Sequence, residues 1–336
     1  MKKGLKKFVI VCGVVAGIGA LCTVAGFAMG GAKSIDKVSD KYSWFNAGTE
    51  HMKSWEDDSE ITSIKIDGDY DVRIQKGERD SVKVCYAENL DPDIFNDEGR
   101  LSIVEPEADS AISIDFSSRD TAPYVEITCA DGKALNVVDV DVENGDVSIT
   151  GINAGIMNID SEFGQIALDG VKFDRGEIGS ESGDIVCTGV VSRGVEIDSE
   201  CGDCTLSGTF AGKTDVEIES GNLQIDTDLA PELYNVKASA ESGTMKIGKT
   251  SLDYYDGVFA DGYGPNKLMM HSECGDITVK FGSKDSTADI KAVVAGNQAA
   301  QVLKYYESMY DADYNDSHND DHDNDHDDDH YEHEFD

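Results

Sequence analysis

Apolar and polar residues alternate along the chain in short repeats, and each repeat contains a glycine turn. A repeat reads as an apolar-x-apolar run, then Glu-x-Gly, then a second apolar-x-apolar run. The glutamate and glycine recur as Glu143/Gly145, Glu162/Gly164, Glu181/Gly183, Glu200/Gly202, Glu219/Gly221, Glu241/Gly243 and Glu273/Gly275. The first five glycines are each separated by 19 residues, and the last two follow insertions. A period of two predicts β-strands, and a fixed repeat of about 20 residues predicts stacked structural units.

Aligning the repeats on their glycines predicts which side chains enter the core. Two apolar columns follow the glycine by two and four positions, and a third precedes it by five. The columns are Val147, Ile166, Ile185, Cys204, Leu223, Met245 and Ile277; Ile149, Leu168, Cys187, Leu206, Ile225, Ile247 and Val279; and Val140, Ile159, Ile178, Ile197, Val216, Ala238 and Met270. A repeat is too short for a four-stranded propeller blade and has no helical stretch. We therefore predict an all-β protein with a parallel β-solenoid (β-helix-like) of about seven coils over residues 131–296.

An uncharged segment near the N-terminus predicts a membrane anchor. The segment Phe8–Ala32 contains no charged residue and follows a basic N-terminus, residues 1–7. A helix of this length spans about 37 Å, which exceeds the roughly 30 Å of a hydrocarbon core. The prediction is a single-pass protein of the cell membrane with a transmembrane helix at 8–32, a cytoplasmic N-terminus and an extracytoplasmic ectodomain. A cleaved signal peptide and a buried core helix are the alternatives.

Four further segments flank the repeats. Residues 33–60 are polar and predict a stalk, and residues 61–130 contain short alternating runs between turn-formers, which is typical of a β-strand cap. Residues 297–310 are rich in Ala, Gln, Leu and Tyr and predict a short capping helix over the last coil. Residues 311–336 consist largely of Asp, Asn and His. They predict a disordered tail, because too few apolar side chains are present to offset the entropy of ordering.

Two motifs add a family resemblance. The opening Ile64-x-Ile66-x-Gly68, which leads to Val72-x-Ile74, and the phrase Ser182-Gly183-Asp184-Ile185 resemble the bacterial putative-adhesin family of β-strand-repeat cell-envelope proteins. The resemblance covers residues 61–282. It implies an envelope protein that is adhesin-like or associated with envelope stress, and it implies no catalytic residues.

The charge of the chain restricts its partners. The net charge is −39, of which residues 311–336 contribute −13, while the four lysines of residues 1–7 contribute +4 and residues 8–310 carry the remaining −30. Direct binding to nucleic acid is excluded, because phosphate contacts need a basic surface. Metal ions, cationic peptides and basic envelope components remain as candidate partners.

The repeated glutamates are the first candidate site. If the repeats are in register, Glu143, Glu162, Glu181, Glu200 and Glu219 form a column at about 4.8 Å spacing, beside a second column of Asp146, Asp184, Asp203 and Asn222. Like charges this close raise each other's pKa, accept turn N–H groups or share cations. Two interpretations stay open: each glutamate caps its own turn, or Ca²⁺ or Mg²⁺ bridges the columns.

The histidines of the tail are the second candidate site. His318, His322, His326 and His330 recur at every fourth position, and His333 follows. Neutral imidazole is a common ligand of Zn²⁺, Ni²⁺ and Cu²⁺. The tail therefore predicts weak, multi-site metal binding, a solubilising acidic segment in which histidine is incidental, or a contact with another protein.

Two motifs imitate known chemistry. Cys201-Gly-Asp-Cys204 matches a redox or zinc pair, but Cys204 falls in a core column, which predicts a buried apolar thiol. Cys274 is the equivalent of Cys201 three repeats later, about 14 Å away if the repeats stack in chain order. Gly243–Thr250 matches a phosphate-binding loop, but two of its residues also fall in core columns and no helix is predicted after it.

The sequence predicts a protein that is not an enzyme and requires no cofactor. The first function hypothesis is a membrane-anchored interaction module of the cell envelope. The alternative is a surface protein that binds or buffers Zn²⁺, Ni²⁺ or Ca²⁺ through its tail and acidic columns. Cell-wall hydrolysis is a third hypothesis, and it needs two acidic side chains that converge in a cleft.

Overall fold

The computed structural model describes residues 52–88, 90–106, 122–252 and 257–294. The predicted transmembrane helix at 8–32, the capping helix at 297–310 and the tail at 311–336 lie outside the described residues. Within those ranges, no helix is both long enough and apolar enough to cross a bilayer.

The described chain consists almost entirely of β-strands. Strands β1–β8 span Met52–Asp57, Ser63–Gly68, Asp71–Gly77, Ser81–Ala87, Asp93–Asp97, Arg100–Val104, Tyr124–Ala130 and Leu135–Asn144. Strands β9–β16 span Val147–Thr150, Asn153–Phe163, Ile166–Asp169, Lys172–Ser182, Ile185–Ser192, Val195–Cys201, Cys204–Phe210 and Lys213–Ser220. Strands β17–β23 span Leu223–Leu229, Tyr234–Ser242, Met245–Ile247, Thr250–Leu252, Gly257–Asp261, Asn266–Cys274 and Ile277–Lys284. Among the described residues the only helix is a 3₁₀ turn at Pro231–Leu233, so the predicted all-β class is confirmed.

The strands pair in two long ladders. Neighbouring strands of the first ladder are β5, β6, β2, β8, β10, β12, β14, β16, β22, β18 and β21. Those of the second are β4, β7, β3, β9, β11, β13, β15, β17, β23, β19 and β20. Within these two ladders pairing is parallel, except that β5, β21, β4 and β20 pair antiparallel with β6, β18, β7 and β19. In the middle of the first ladder Ile159 pairs with Ile178, and Ile178 with Ile197, so the 19-residue repeat is a structural register.

The three predicted apolar columns line the core. Every residue in them is buried, with an exposed fraction of 4% or less. The same alternation buries Ile64, Ile66, Val72 and Ile74 on β2 and β3. Since successive side chains of a strand point to opposite faces, the residues between these core positions point outward. The sequence pattern therefore determines both the core and the outer surface of each ladder.

The repeats follow one another in space in a different order from the chain. The repeat formed by β22 and β23 lies between the repeat of β16 and β17 and that of β18 and β19, so the last two are exchanged. At the other end, β2 and β3 come from the region predicted as a cap, yet they pair with β8 and β9 in the register of a repeat. The exchange corrects one prediction. Only Ser220 lies between Cys201 and Cys274 in the ladder, so these residues are two strand spacings apart, about 10 Å, and not three.

Close stacking of the turns explains the glycine of each repeat. Gly202 has a φ of +156°, and a Cβ at this position would overlap the carbonyl oxygen of Gly183. A Cβ on Gly275 would likewise overlap the carbonyl oxygen of Gly221, and one on Gly243 would overlap that of Gly275. The glycine column thus has the same exchanged order as the strands, and no other residue type fits between neighbouring turns.

A segment after β23, residues 285–294, returns along the outside of the first ladder, and we call it the strap. The carboxylate of Asp174 accepts hydrogen bonds from the N–H groups of Val293 and Val294, at 2.9 and 2.8 Å. Val294 packs against Val137 and Ile156, on β8 and β10. The last described residue therefore lies beside β8 and β10, and not at the outermost repeat of β18 and β19.

Contacts between residues divide the chain into two compact units. One comprises residues 1–53, 86–91 and 106–122, and in its described part Lys53 forms an exposed ion pair with Glu88 at 3.6 Å. The other comprises residues 54–85, 92–105 and 123–336. The glycine-turn repeats and the strap belong to this second unit.

Candidate functional site: an acidic face

Three rows of mostly acidic side chains cover the outward side of the first ladder, and we call them the acidic face. The first row is Lys65, Asp139, Asn158, Glu177, Glu196 and Asp215, and the second is Asp67, Asp141, Asp160, Gly179, Asp198 and Glu217. The third row is the predicted column of Glu143, Glu162, Glu181, Glu200 and Glu219. Neighbouring members of a row are about 4.8 Å apart along the stack. The face exists because these residues alternate with the core residues of the same strands.

A cleft of about 670 Å³ opens in this face. It is lined by one ammonium group, that of Lys65, and by seven carboxylates, those of Asp67, Asp139, Asp141, Asp160, Glu177, Glu196 and Asp198. Gly179 also lines the cleft, and a Cβ there would lie 2.7 Å from Oδ1 of Asp160. The glycine therefore leaves space in the second row that a side chain would fill.

Burial and neighbouring negative charges raise the pKa of several carboxyl groups in the acidic face. Burial raises the pKa of Asp139 to about 6, and the nearby charge of Asp141 adds to the shift. Burial, followed by the charge of Asp67, also raises the pKa of Asp141. The pKa of Glu181 is raised by desolvation and by the charge of Glu162. Because the shifts come partly from like charges, a cation bound here would be stabilised by several carboxylates at once.

The aspartates that follow the repeat glycines connect neighbouring turns. Oδ1 of Asp184 accepts a hydrogen bond from the N–H of Asp203 at 2.9 Å, and Oδ1 of Asp203 accepts one from the N–H of Asn222 at 2.8 Å. Oδ1 of Asn222 accepts the next, from the N–H of Asp276 at 3.1 Å. Asp146 does the same for Gln165 at 2.9 Å. One oxygen of each side chain in the second predicted column is thus occupied by a bond between repeats.

The predicted glutamate column is present, and all five of its side chains are exposed. No hydrogen bond joins any of these glutamates to its own turn in the described chain, where the aspartates bind the turn N–H groups instead. Nor do the described residues contain a group of three or more His, Cys, Asp or Glu arranged to hold a metal ion. His318, His322, His326, His330 and His333 lie outside the described residues, so metal binding by the tail stays a prediction.

The two motifs that imitate known chemistry have structural roles. The thiol of Cys204 is fully buried, as predicted, whereas Cys201 is exposed, so the two residues of the C-x-x-C motif face different environments. Burial raises the pKa of the Cys204 thiol, which makes it unreactive. The segment Gly243–Thr250 leads from β19 into an antiparallel pairing with β20 and not into a helix. It therefore lacks the helix N-terminus that a phosphate-binding loop requires.

The first two rows of the face are the part of the site that the sequence analysis missed. Their signal was available, because Asp139 and Asp141 alternate with core residues and have equivalents in the following repeats. Aligning the outward positions of each strand, in addition to the turn glutamates, identifies them.

The family model described as Toastrack DUF4097 matches residues 61–262, which is more than half of the chain. No curated protein matches the sequence significantly. Among solved structures, a putative adhesin from Bacteroides fragilis is 13% identical, with a TM-score of 0.39 over 69% of this chain and 98% of that one. A putative cell adhesion protein from Clostridium sporogenes is 14% identical, with a TM-score of 0.29 over 69% and 100%. A putative lipid binding protein from Parabacteroides distasonis is 15% identical, with a TM-score of 0.31 over 68% and 98%.

Proposed function

Because the chain belongs to the Toastrack DUF4097 family, a putative-adhesin family of unknown function, we propose that it is a non-catalytic interaction module of the cell envelope. In this proposal the acidic face binds a cationic partner, namely a peptide segment rich in lysine and arginine. The observation that carries the proposal is the cleft lined by seven carboxylates and a single ammonium group.

The chemistry of the face suits such a partner. Guanidinium and ammonium groups form charge-assisted hydrogen bonds with carboxylates, and arginine binds a carboxylate through two parallel bonds. The rows repeat their carboxylates over several neighbouring strands, so a chain with several cations can make several contacts at once. A surface of one charge sign also increases the rate of encounter with an oppositely charged ligand.

The repetition of the carboxylates supports binding over catalysis. Glycoside hydrolysis uses two carboxyl groups in different environments, one protonated and one ionised. Most of the acidic face instead presents similar exposed carboxylates from strand to strand. The raised pKa of Asp139 has a local cause, its burial beside other carboxylates at one end of the rows.

The proposal includes the membrane anchor and the solenoid. The parallel pairing of Ile159 with Ile178, and of Ile178 with Ile197, supports the interpretation of the repeats as coils of a β-solenoid. The uncharged segment 8–32 supports a membrane anchor that holds the acidic face outside the cell. A protease added to intact cells should then digest the repeats, and full protection of the repeats would contradict this placement.

Neutralising part of the cleft tests the binding site. The triple variant Glu177→Gln, Glu196→Gln, Asp198→Asn removes three lining carboxylates and leaves the core unchanged. We expect it to bind a fluorescent ten-residue lysine–arginine peptide roughly 3- to 150-fold more weakly than the unmodified chain, since each of the three lost ion pairs contributes about 0.2–1 kcal/mol. The measurement is fluorescence anisotropy at fixed ionic strength.

The matched control removes the same charge elsewhere. Asp169→Asn, Glu232→Gln, Asp285→Asn neutralises three exposed carboxylates outside the acidic face. This control should bind the peptide within about twofold of the unmodified chain. The carboxylates that it removes attract the peptide only over long distances, where salt screens the attraction. Equal losses in the two triple variants would show that net charge, and not the cleft, accounts for binding.

A further inference from the structure

A second cleft has a volume of about 500 Å³, and most of the charged residues that line it are basic. Four of its lining residues are basic, Lys172, Arg193, Lys284 and Lys291, and one is acidic, Asp289. We call it the basic cleft. Because the chain has a net charge of −39, a concentration of cations on one part of its surface indicates a specific anionic partner.

Only half of these cations are neutralised by neighbours. Arg193 pairs with Asp174 at 3.1 Å, and Lys284 pairs with Asp289 at 3.0 Å. Lys172 and Lys291 are exposed, and neither has a carboxylate within ion-pair distance among the residues that the structure describes. The basic cleft therefore presents two ammonium groups that are available to a ligand.

The strap brings the C-terminal part of the chain to this cleft. Val293 lines the cleft, and Asp174 and the contacts of Val294 hold the strap in place. The sequence continues after Val294 to Asp336, and its segment 311–336 carries a charge of −13. Only the short segment 295–310 separates the strap from this acidic segment. A short tether of this kind keeps the effective concentration of a segment at its site in the millimolar range.

We propose that the acidic segment 311–336 binds the basic cleft of its own chain through ion pairs with Lys172 and Lys291. A free anion is a poorer ligand, because it is repelled by the net charge of the protein and loses translational freedom on binding. The tethered segment has already lost most of that freedom. Bound at the basic cleft, its carboxylates are held there and do not compete with the acidic face for cationic partners.

Zero-length carbodiimide cross-linking of the full chain tests the contact. At low ionic strength, mass spectrometry should identify amide links from tail carboxylates to Lys172 and Lys291. In an equal mixture of unlabelled and ¹⁵N-labelled chains, the links should join segments of the same isotope. Raising NaCl to about 0.5 M should remove most links, because the Debye length then falls below about 5 Å. Absence of links to both lysines at low salt, or links mainly between isotopes, would overturn the proposal.

Lysine acetylation rates provide an independent readout. Ending the chain at Tyr310 should raise the acetylation rate of Lys172 and Lys291 by a factor of about two to five, the change expected when an exposed ion pair is lost. Lys246, which is exposed on β19, should react at an unchanged rate. A tail of equal length with its thirteen carboxylates replaced by amides should protect no better than the truncation. Equal protection by the amide tail would show that the contact is not ionic and would refute the proposed site.

Discussion

Replacing Gly202 by alanine inserts a methyl group between two turns that stack in direct contact. The new Cβ would overlap the carbonyl oxygen of Gly183, and it would lie 2.7 Å from the carbonyl carbon of Gly183 and 3.3 Å from the backbone nitrogen of Asp184. All three are main-chain atoms within the paired repeats, so the strain is relieved only if the two turns move apart. The φ of +156° at Gly202 is a second cost, since residues with a Cβ rarely adopt it.

The magnitude follows from these two terms. Overpacking costs about 1–3 kcal/mol, and backbone strain of this kind costs about 1–3 kcal/mol. We therefore expect Gly202→Ala to lower the free energy of unfolding by about 2–6 kcal/mol. Gly170→Ala is the matched control, because Gly170 has a φ of +62° and a Cβ there would have no heavy atom within 4 Å. The control keeps the backbone cost, about 1–2 kcal/mol, without the overlap.

Equilibrium urea unfolding, followed by circular dichroism, measures the difference. Gly202→Ala should unfold at a lower urea concentration than Gly170→Ala, and both should unfold below the unmodified chain, with similar slopes. Equal midpoints for the two variants would show that the turns are not in direct contact and would refute the explanation of the glycine column.

Three further changes test the electrostatic assignments. Asp80 accepts hydrogen bonds from two backbone N–H groups and from Nζ of Lys133, at 2.6 to 2.9 Å. Asp80→Asn should therefore lower the free energy of unfolding at pH 7 by about 3–5 kcal/mol. An unchanged urea midpoint would contradict this role. Burial alone would raise the pKa of Asp80, but the bond from Lys133 and the two N–H bonds lower it overall, so the advantage of the carboxylate over asparagine should be lost as the pH falls below about 4. Asp139 shows the opposite pH dependence, because burial raises its pKa to about 6 and the folded state therefore binds the proton more tightly than the unfolded state. The stability of the unmodified chain relative to Asp139→Asn should rise by up to about 2–3 kcal/mol between pH 7 and pH 4. Parallel pH profiles of the two proteins would exclude the shift. In calorimetric titration the full chain should bind Zn²⁺ or Ni²⁺ and a chain ending at Tyr310 should not; equal binding by both would exclude the tail histidines as ligands.

The strands and the core could be predicted because they depend on a local property. Burial on one face of a strand selects apolar residues at every second position, and that selection is visible in any single repeat. The order of the repeats could not be predicted in the same way. Neighbouring repeats carry nearly the same pattern, so β22 fits beside β16 as well as β18 does. The insertion that contains β20 and β21 separates these two repeats in the sequence, and the local pattern does not specify the path of the chain across it.

The acidic face could be predicted from the local sequence pattern, whereas the basic cleft could not. One row of the acidic face follows directly from the 19-residue spacing, and the other two rows carry the same signal at Asp139, Asp141 and their equivalents. The basic cleft leaves no comparable signal. Lys172 and Lys291 are far apart in sequence and belong to different kinds of segment, a repeat strand and the strap.

The sequence by itself determined the strand periodicity, the identity of the core residues, the requirement for glycine at each turn and the negative charge of the outward face. Each of these is a property of residues within one repeat, and it recurs in every repeat. Only the tertiary structure decided the exchanged order of the last two repeats and the presence of Lys172 and Lys291 in one cleft. Those features depend on the path of the chain between distant segments, and the alternation of side chains along a strand carries no information about that path.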